Sequence, residues 1–206
     1  MKDKIILDLC GGTGSWSKPY RDAGYDVRLV TLPDIDVRTY VAPESAYGVL
    51  AAPPCTIFSR ANWKVKKNQR DFKEAMECVR ACMEIIWGLQ ERTGAGLAFW
   101  ALENPQGYLY NFLGQPAFHF QPWQFGEVGP LMTKRTAIWG YFNEPLRTVS
   151  ERTFEFIDKY TRNKQERPAT LFPVERKIND RWSGMSAKKR SITPAGFAEA
   201  FFKANP

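Results

Sequence analysis

Residues 4–17 read KIILDLCGGTGSWS: a short apolar run that carries one acid, followed by a glycine-rich segment. The apolar run predicts a buried strand, because it is too short for a typical helix and stops at glycine. The next residues predict a tight turn and a helix over 17–23, ending in a left-handed conformation at Gly24. This order is typical of the ligand-binding edge of an open α/β sheet. A tight strand–helix turn without a ligand is the alternative, and the spacing matches neither the dinucleotide motif nor the P-loop.

Short strands and helices continue to alternate along the chain. Further strands are predicted by apolar runs at 26–32, 47–52, 97–102 and 136–141. Apolar residues at helical spacing predict a long helix over 72–90. A last helix is expected to run to Ala204, with Thr193 as its N-cap and Pro194 in its first turn. The predicted fold class is α/β, with a mainly parallel sheet and helices on both faces.

Three regions are predicted from composition and charge. Residues 1–142 form the main α/β domain. Residues 143–190 are less periodic and hold twelve basic against seven acidic residues, which predicts a small basic appendage. Residues 191–206 form a helix that packs back on the main domain. The net charge of +7 favours a polyanionic partner, and a solvated basic face without a partner is the alternative.

Composition excludes several classes of protein. Hydrophobic residues make up 44% of the chain and charged residues 25%, which excludes a disordered chain. No stretch approaches the roughly 20 apolar residues of a membrane helix. The first residues lack the apolar core of a secretory signal, so a cytoplasmic location is expected.

The cysteines and the histidine suggest no metal site or disulfide framework. Cys78 and Cys82 lie one helical turn apart and are expected to be small apolar helix residues. No Cys-x-x-Cys pair or nearby histidine completes a zinc site. His119 is expected to be a partly buried loop or strand residue without a catalytic role. The aromatic residues at 118–125 are expected to lie in the core rather than to stack on bases.

Cys55 follows two prolines at the end of a predicted strand. A rigid turn there presents its thiol at the same sheet edge as the glycine segment, and a thiolate is a strong nucleophile. A buried structural cysteine is the alternative. The basic run over 60–70 follows directly, with Trp63 among the cations, and this combination suits a nucleic acid.

Two acidic segments follow other predicted strands. The sequence Glu103-Asn104-Pro105 is expected to end its strand. Because one helix separates this strand from the Cys55 strand, the two are candidate parallel neighbours, which brings Glu103 and Cys55 to one edge. A strand-ending turn without function is the alternative. Acids at 34–38 could bind a cofactor's hydroxyls or amine, and the alternative there is a solvated turn.

In this order, the motifs resemble those of the cytosine-C5 DNA methyltransferase family, in particular its short phage-type members. The segment 8–14 is similar to the family's Asp-Leu-Phe-x-Gly-x-Gly loop, 54–59 to Pro-Cys-x-x-Phe-Ser, and 103–105 to Glu-Asn-Val with proline in place of valine. Weaker matches are 134–136, to the segment with an active-site arginine, and 190–194, to Arg-x-Leu-Thr-Pro. Where the family has an acid after the second strand, this chain has Leu32-Pro33, and Asp34 is the candidate substitute.

The resemblance implies a Rossmann-like S-adenosylmethionine-dependent methyltransferase fold. The implied cofactor, S-adenosylmethionine, is contacted by Asp8, Cys10, Gly11, Gly12, Thr13, Gly14, Asp34, Asp36, Val37 and Pro53. The implied catalytic residues are Cys55, Glu103, Asn104 and Arg135. The implied DNA contacts are Pro54, Ser59, Arg60, Trp63, Lys64, Lys66, Lys67 and Arg70. The target-recognition region falls on 143–190, and the setting is a bacterial or phage-infected cytoplasm.

The implied reaction is methyl transfer to C5 of a cytosine flipped out of its stack. The Cys55 thiolate attacks C6, while Glu103, protonated or sharing a proton, bonds N3. Asn104 orients the acid or the base, Arg135 contacts the O2 side, and the basic loop closes over the base with Trp63 as a wedge. The expected partner is DNA, without a membrane or metal, and the chain is expected to be monomeric.

Two other functions remain open from the sequence. The first is an enzyme of the same fold that modifies cytosine in a nucleotide or a single strand, or that uses a modified S-adenosylmethionine. The second is a DNA- or cofactor-binding module without activity. An intact Cys55 and Glu103 favour an enzyme over the module.

Overall fold

A single sheet runs through the computed structural model, which describes residues 4–60, 65–92, 96–127, 134–150 and 191–206. Its strands are β1 (Ile5–Leu9), β2 (Asp26–Val30), β3 (Gly48–Ala51), β4 (Phe99–Pro105), β5 (Phe118–Phe120) and β6 (Thr136–Tyr141). The spatial order is β2-β1-β3-β4-β6-β5. The first four are parallel to one another, and β6 runs antiparallel to both β4 and β5. The fold is therefore Rossmann-like α/β, as predicted.

Helices connect or cover these strands. The described helices are α1 (Lys18–Asp22), α2 (Phe72–Arg92), α3 (Tyr110–Leu113) and α4 (Ala195–Ala204), with 3₁₀ turns at Lys67–Gln69 and Pro122–Phe125. Helix α2 buries Val79, Cys82, Ile86 and Leu89, and this spacing of three or four residues is that of one helix face. None of the helices in the described ranges is long and apolar enough to cross a bilayer.

The sheet has an apolar layer on each face. Because side chains alternate along a strand, Leu7 and Leu9 of β1 pack in the cluster that includes α2, whereas Ile6 packs in the opposite cluster. The opposite cluster contains Tyr20 of α1 and Phe197 of α4. Burial on both faces explains why the parallel strands read as nearly continuous apolar runs.

The aromatic residues at 118–125 are mainly core, as predicted. Phe118, Phe120 and Phe125 are buried. The ring of Phe120 stacks on Phe197 of α4, with centroids 3.9 Å apart and planes 10° apart. The contact fixes α4 against the edge of the sheet.

The predicted elements are confirmed except at their ends. Strand β4 does not stop before Glu103 but continues to Pro105, because its last residues pair with β6. Helix α4 begins at Ala195 with Pro194 as its N-cap, so the prediction of Thr193 is wrong. His119 is exposed on β5 and stacks on Tyr110, rather than being partly buried. Gly24 has φ of +85°, as its predicted place after α1 requires.

Of the predicted appendage over 143–190, the structure describes 143–150. Here the backbone amide of Asn143 donates to Asn205 Oδ1 at 2.7 Å. The hydroxyl of Tyr20 donates to the carbonyl of Asn205 at 2.8 Å. Residues at the start of the region are therefore tied to the segment after α4. The remainder, 151–190, lies outside the described residues.

Candidate active site

The turn between β1 and α1 uses backbone conformations that favour glycine. Gly12 and Gly14 have φ of +58° and +69°, and Cys10 has φ of +56°. The amide of Gly14 donates to the carbonyl of Gly11 at 2.9 Å and closes the turn. Gly12 and Thr13 are exposed. Their backbone lies at the carboxyl edge of a parallel sheet, where folds of this type bind ligands.

Asp8 lies beneath this turn and is completely buried. Its Oδ2 accepts a hydrogen bond from the Ser17 hydroxyl at 2.5 Å, and its Oδ1 has no partner among the described residues. A Cβ added to Gly11 would lie 2.2 Å from Oδ1, so the carboxyl needs glycine above it. Burial raises the pKa of Asp8 to about 6, although the Ser17 hydrogen bond and Arg21 lower it. Asp8 supports the turn from below, and its contact with a cofactor stays a prediction.

We expect Asp8 to make the protein less stable as the pH rises from about 4 to about 6. Its pKa is about 6 in the folded state against 3.8 as a model value, so in this window the folded state binds more protons than the unfolded state. The decrease in the free energy of unfolding is on the order of 3 kcal/mol and is complete above the pKa of Asp8 in the folded state. The free energy of unfolding in urea, measured from pH 4 to 8, tests this.

The matched variants are Asp8→Asn and Asp22→Asn. In Asp8→Asn, the free energy of unfolding should decrease less between pH 4 and 6, because the buried group no longer ionises. The side chain of Asp22 is 58% exposed, and Asp22→Asn should keep the decline of the unmodified protein. An unchanged decline in Asp8→Asn would contradict the assignment.

Thr31, just after β2, was not recognised from the sequence. Its hydroxyl accepts a hydrogen bond from the Gly12 amide at 3.2 Å, which ties the second strand to the glycine turn. Its carbonyl accepts the amide of Ile35 at 2.9 Å. Asp34 lies exposed between them. The Thr31 hydroxyl therefore ties the end of β2 to the turn, and the contact of Asp34 with a cofactor stays a prediction.

The carboxylate of Asp36 is paired with Arg38. The two side chains are 2.5 Å apart, and the backbone amide of Arg38 donates to Asp36 Oδ1 at 3.0 Å. These hydrogen bonds lower the pKa of Asp36 to about 2. Val37 between them is buried. If Asp36 binds a cofactor amine, it must share its carboxylate with Arg38.

Cys10 turns its side chain away from the exposed part of the glycine turn. Its thiol forms a hydrogen bond with Cys82 of α2. This bond, together with burial, raises the pKa of Cys82 well above its usual range. Cys78 is partly buried and packs against the same cluster, as expected of a small apolar residue. Cys10 therefore places its backbone, and not its thiol, at the ligand edge.

The loop that carries Cys55 leaves the sheet beside the glycine turn. The amide of Ala52 donates to the carbonyl of Leu9 at 2.9 Å, which keeps the end of β3 beside the end of β1. Pro53 is buried, Pro54 is exposed and Cys55 is half-buried. The amide of Ser59 donates to the carbonyl of Cys55 at 2.8 Å, forming a tight turn after the cysteine.

The sheet register brings Glu103 to the same edge. Ala51 of β3 is aligned with Leu102 of β4, so Glu103 lies level with the start of the Cys55 loop. The completely buried Asn104 donates from Nδ2 to the carbonyl of Pro53 at 3.0 Å. Asn104 therefore fixes the loop backbone, and its predicted role of orienting the acid or the base stays a prediction.

A lysine reaches Glu103. Lys134 Nζ lies 3.7 Å from Glu103 Oε1, and the two side chains are only 10% and 14% exposed. The next residue, Arg135, is exposed, and its carbonyl accepts the amide of Gln106 at 3.0 Å. The sequence indicates no cation as a partner for Glu103, and the contact of Arg135 with the O2 side of the base stays a prediction. The signal for Lys134 was its position two residues before β6, which pairs with the end of β4.

The predicted basic run divides into surface and buried residues. Arg60, Lys66 and Lys67 are exposed, whereas Arg70 is 8% exposed. The cations of Arg60, Lys67 and Arg70 lie 5.6, 5.7 and 5.1 Å from the ring centroid of Tyr108. Trp63 and Lys64 lie outside the described residues. The exposed cations border the Cys55 loop, on the side where a polyanion could approach.

This chain is similar to several solved structures, among them two methyltransferases at low sequence identity. The methyltransferase EhMeth of Entamoeba histolytica is 12% identical with a TM-score of 0.45, over 72% of this chain and 57% of that one. The Dnmt2 methyltransferase of S. pombe is 11% identical with a TM-score of 0.41, over 80% and 56%. This chain thus spans little more than half the length of either. No protein-family model and no curated protein matches it.

Proposed function

We propose that this chain is an S-adenosylmethionine-dependent methyltransferase that modifies C5 of a flipped cytosine in DNA through a covalent adduct with Cys55. The observation that carries the proposal is the shared edge of β1, β3 and β4. There the glycine turn, the loop with the half-buried Cys55 and the ion-paired Glu103 lie at or just beyond the ends of adjacent strands. A nucleophile, an acid and a ligand-binding turn together fit covalent group transfer to a base.

The residues around the glycine turn fit the proposed cofactor. The turn exposes backbone at Gly12 and Thr13, and nothing lies within 4 Å of a Cβ added to Gly12, so a ligand has room there. Beneath it, Asp8 Oδ1 is buried with no partner in the described part of the chain and provides negative potential for a cationic group. S-adenosylmethionine supplies an electrophilic methyl group when bound. Thr31, Asp34 and Asp36 are the side chains proposed to complete its site.

The protein's own groups would act on the pyrimidine ring. The Cys55 thiolate adds to C6 and forms a carbon–sulfur bond, which makes C5 nucleophilic. Glu103, protonated or sharing a proton, donates a hydrogen bond to N3 and stabilises the negative charge that develops on the ring. After C5 has been alkylated, loss of its proton and departure of the Cys55 thiolate restore the aromatic ring. Arg135 is the proposed contact for the O2 side.

The exposed cations are the proposed contacts with DNA phosphates. Arg60, Lys66 and Lys67 border the Cys55 loop, and cations that neutralise phosphates release counterions. The target base must leave the stack to reach a half-buried thiol. Pro54 and Ser59, on the same loop, are proposed to contact the displaced nucleotide.

Covalent trapping tests this function. The protein is incubated with S-adenosylmethionine and duplex, single-stranded or mononucleotide substrate that contains 5-fluorocytosine. Because fluorine at C5 cannot leave as a proton, the adduct with Cys55 should persist on a denaturing gel. A duplex adduct supports the proposal, an adduct on single strands or nucleotides only supports the alternative substrate, and DNA binding without any adduct supports the inactive module. Mass spectrometry of nucleosides from the reaction identifies the transferred group.

A further inference from the structure

Arg70 is buried against the loop that carries Cys55, although it belongs to a basic run. It lies two residues before α2 and is 8% exposed. Its Nη1 donates to the carbonyls of Ile57 at 2.5 Å and Ser59 at 2.9 Å. Its Nε donates to the carbonyl of Val65 at 3.2 Å. One guanidinium therefore binds three backbone carbonyls.

Through these carbonyls, Arg70 holds the chain at two places after Cys55. Ile57 and Ser59 lie within the turn closed by the Ser59–Cys55 hydrogen bond, and Val65 lies beyond Arg60. A second anchor comes from the chain after β4. Gly107 forms a bridge with Ser59 and permits no side chain, because a Cβ there would lie 2.2 Å from the carbonyl of Phe58.

The geometry requires arginine rather than any cation. A guanidinium has five donors in a rigid planar arrangement, so it can bond several carbonyls at once, whereas a lysine ammonium concentrates its charge at one point. The Arg70 guanidinium also lies 5.1 Å from the ring centroid of Tyr108, whose amide donates to the carbonyl of Phe58 at 2.8 Å. The Arg70 side chain and the Tyr108 backbone thus hold the same turn from neighbouring points.

We propose that Arg70 is a positioning residue for Cys55, and that its donors order the Cys55 loop instead of binding phosphate. This proposal rests on the proposed function in one respect only, namely the reaction of Cys55 with its substrate. The ordering of the loop is measurable without substrate or cofactor, so the two can fail separately.

Hydrogen exchange tests the ordering directly. In Arg70→Met, the amides of Ser59 and Tyr108 should exchange at least about tenfold faster, because the buried carbonyls of their turn lose their donors. Arg70→Lys should lie between Arg70→Met and the unmodified protein. The matched control is Arg80→Met: Arg80 is on α2, its side chain is 59% exposed and bonds Glu77 and Glu84, and its loss should leave both amides unchanged.

Two exchange results would overturn the proposal. One is unchanged exchange at Ser59 and Tyr108 in a folded variant. The other is acceleration spread evenly over β1 and β4, which would indicate general destabilisation. If Arg70→Met does not fold, Arg70→Lys decides by the same criteria, with an expected acceleration of about threefold or more. The rate at which iodoacetamide alkylates Cys55 should change in parallel.

Substrate kinetics separate positioning from phosphate binding. With the 5-fluorocytosine duplex, Arg70→Met should form the adduct about 10- to 100-fold more slowly, while DNA affinity changes less than threefold and its salt slope stays unchanged. A phosphate ligand would instead lower the salt slope by about 0.9 for the lost contact, which we expect of Lys66→Ala and Lys67→Ala. Such a drop in Arg70→Met overturns the proposal. If the unmodified protein forms no adduct, the proposed function fails, and the exchange data alone decide the role of Arg70.

Discussion

Cys55→Ser should abolish the covalent adduct with 5-fluorocytosine DNA and slow methyl transfer by at least about 1,000-fold. A thiol with an ordinary pKa of about 8.5 supplies appreciable thiolate near neutral pH, whereas a serine hydroxyl supplies almost no alkoxide. The loop should keep its shape, because the amide of Ser59 bonds the backbone carbonyl of residue 55 and not its side chain. Adduct yield and transfer rate measure the effect.

The cofactor site should be insensitive to this change. We expect the affinity for S-adenosylmethionine, measured by calorimetry, to stay within about twofold in Cys55→Ser, because the glycine turn comes from a different strand. Cys78→Ser is the matched control, since Cys78 is a partly exposed helix residue that packs against the core cluster. That variant should keep most of the activity. Undiminished methyl transfer by Cys55→Ser would rule out the covalent route.

The sequence predicts the sheet edge well because local patterns determine it. Glycines after a buried strand, two prolines before Cys55 and an apolar run before Glu103 each mark a strand end at short range. Parallel strands joined by one helix are then expected to be neighbours, and β3 and β4 are. These rules place Cys55 and Glu103 at one edge before any coordinates are known.

Contacts between distant segments are not determined by such patterns. Thr31 bonds Gly12 only because β2 pairs with β1, and Lys134 reaches Glu103 only because β6 pairs antiparallel with β4. The pairing with β6 also extends β4 through Pro105, whereas the sequence around Pro105 indicates a turn. A proline is tolerated at this end of the strand because it lacks only the donor.

Charge alone also does not distinguish buried cations from exposed ones. Arg70 lies in a run of basic residues whose exposed members fit a phosphate surface, and sequence gives no sign that its donors are directed at carbonyls. Asp8 belongs to the predicted ligand-binding segment, and the sequence does not indicate that it lies inside the core. In both cases, burial decides the role, and burial follows from packing rather than from residue type.

The pair of Glu103 and Lys134 gives the second large effect. Their nearest atoms are 3.7 Å apart, and both side chains are largely buried. A carboxylate in such a position is costly without a partner, and the lysine charge offsets this cost. In the proposed reaction, the same carboxyl must carry a proton to donate a hydrogen bond to N3, so the lysine affects both its position and its protonation.

Glu103→Gln should slow adduct formation by about 100- to 1,000-fold, the range for loss of a positioned acid or base. Lys134→Met should slow it by about tenfold and lower the free energy of unfolding by roughly 1–2 kcal/mol, because Glu103 loses its partner. Lys134→Arg keeps the charge and should recover the rate to within about threefold. The measurements are single-turnover trapping rates and urea unfolding.

The double variant decides whether the lysine acts through the glutamate. If it does, the variant that combines Glu103→Gln with Lys134→Met should form the adduct no more slowly than Glu103→Gln alone. In Glu103→Gln the lysine has already lost the carboxylate through which it acts. If the rate reductions of the two single variants multiply in the double variant, Lys134 contacts the substrate itself. Arg135→Met is the comparison variant, because the neighbouring exposed Arg135 is the proposed contact for the O2 side of the base. A loss in Arg135→Met that exceeds the loss in Lys134→Met would return the main role to Arg135, and the ion pair with Glu103 would then be structural only.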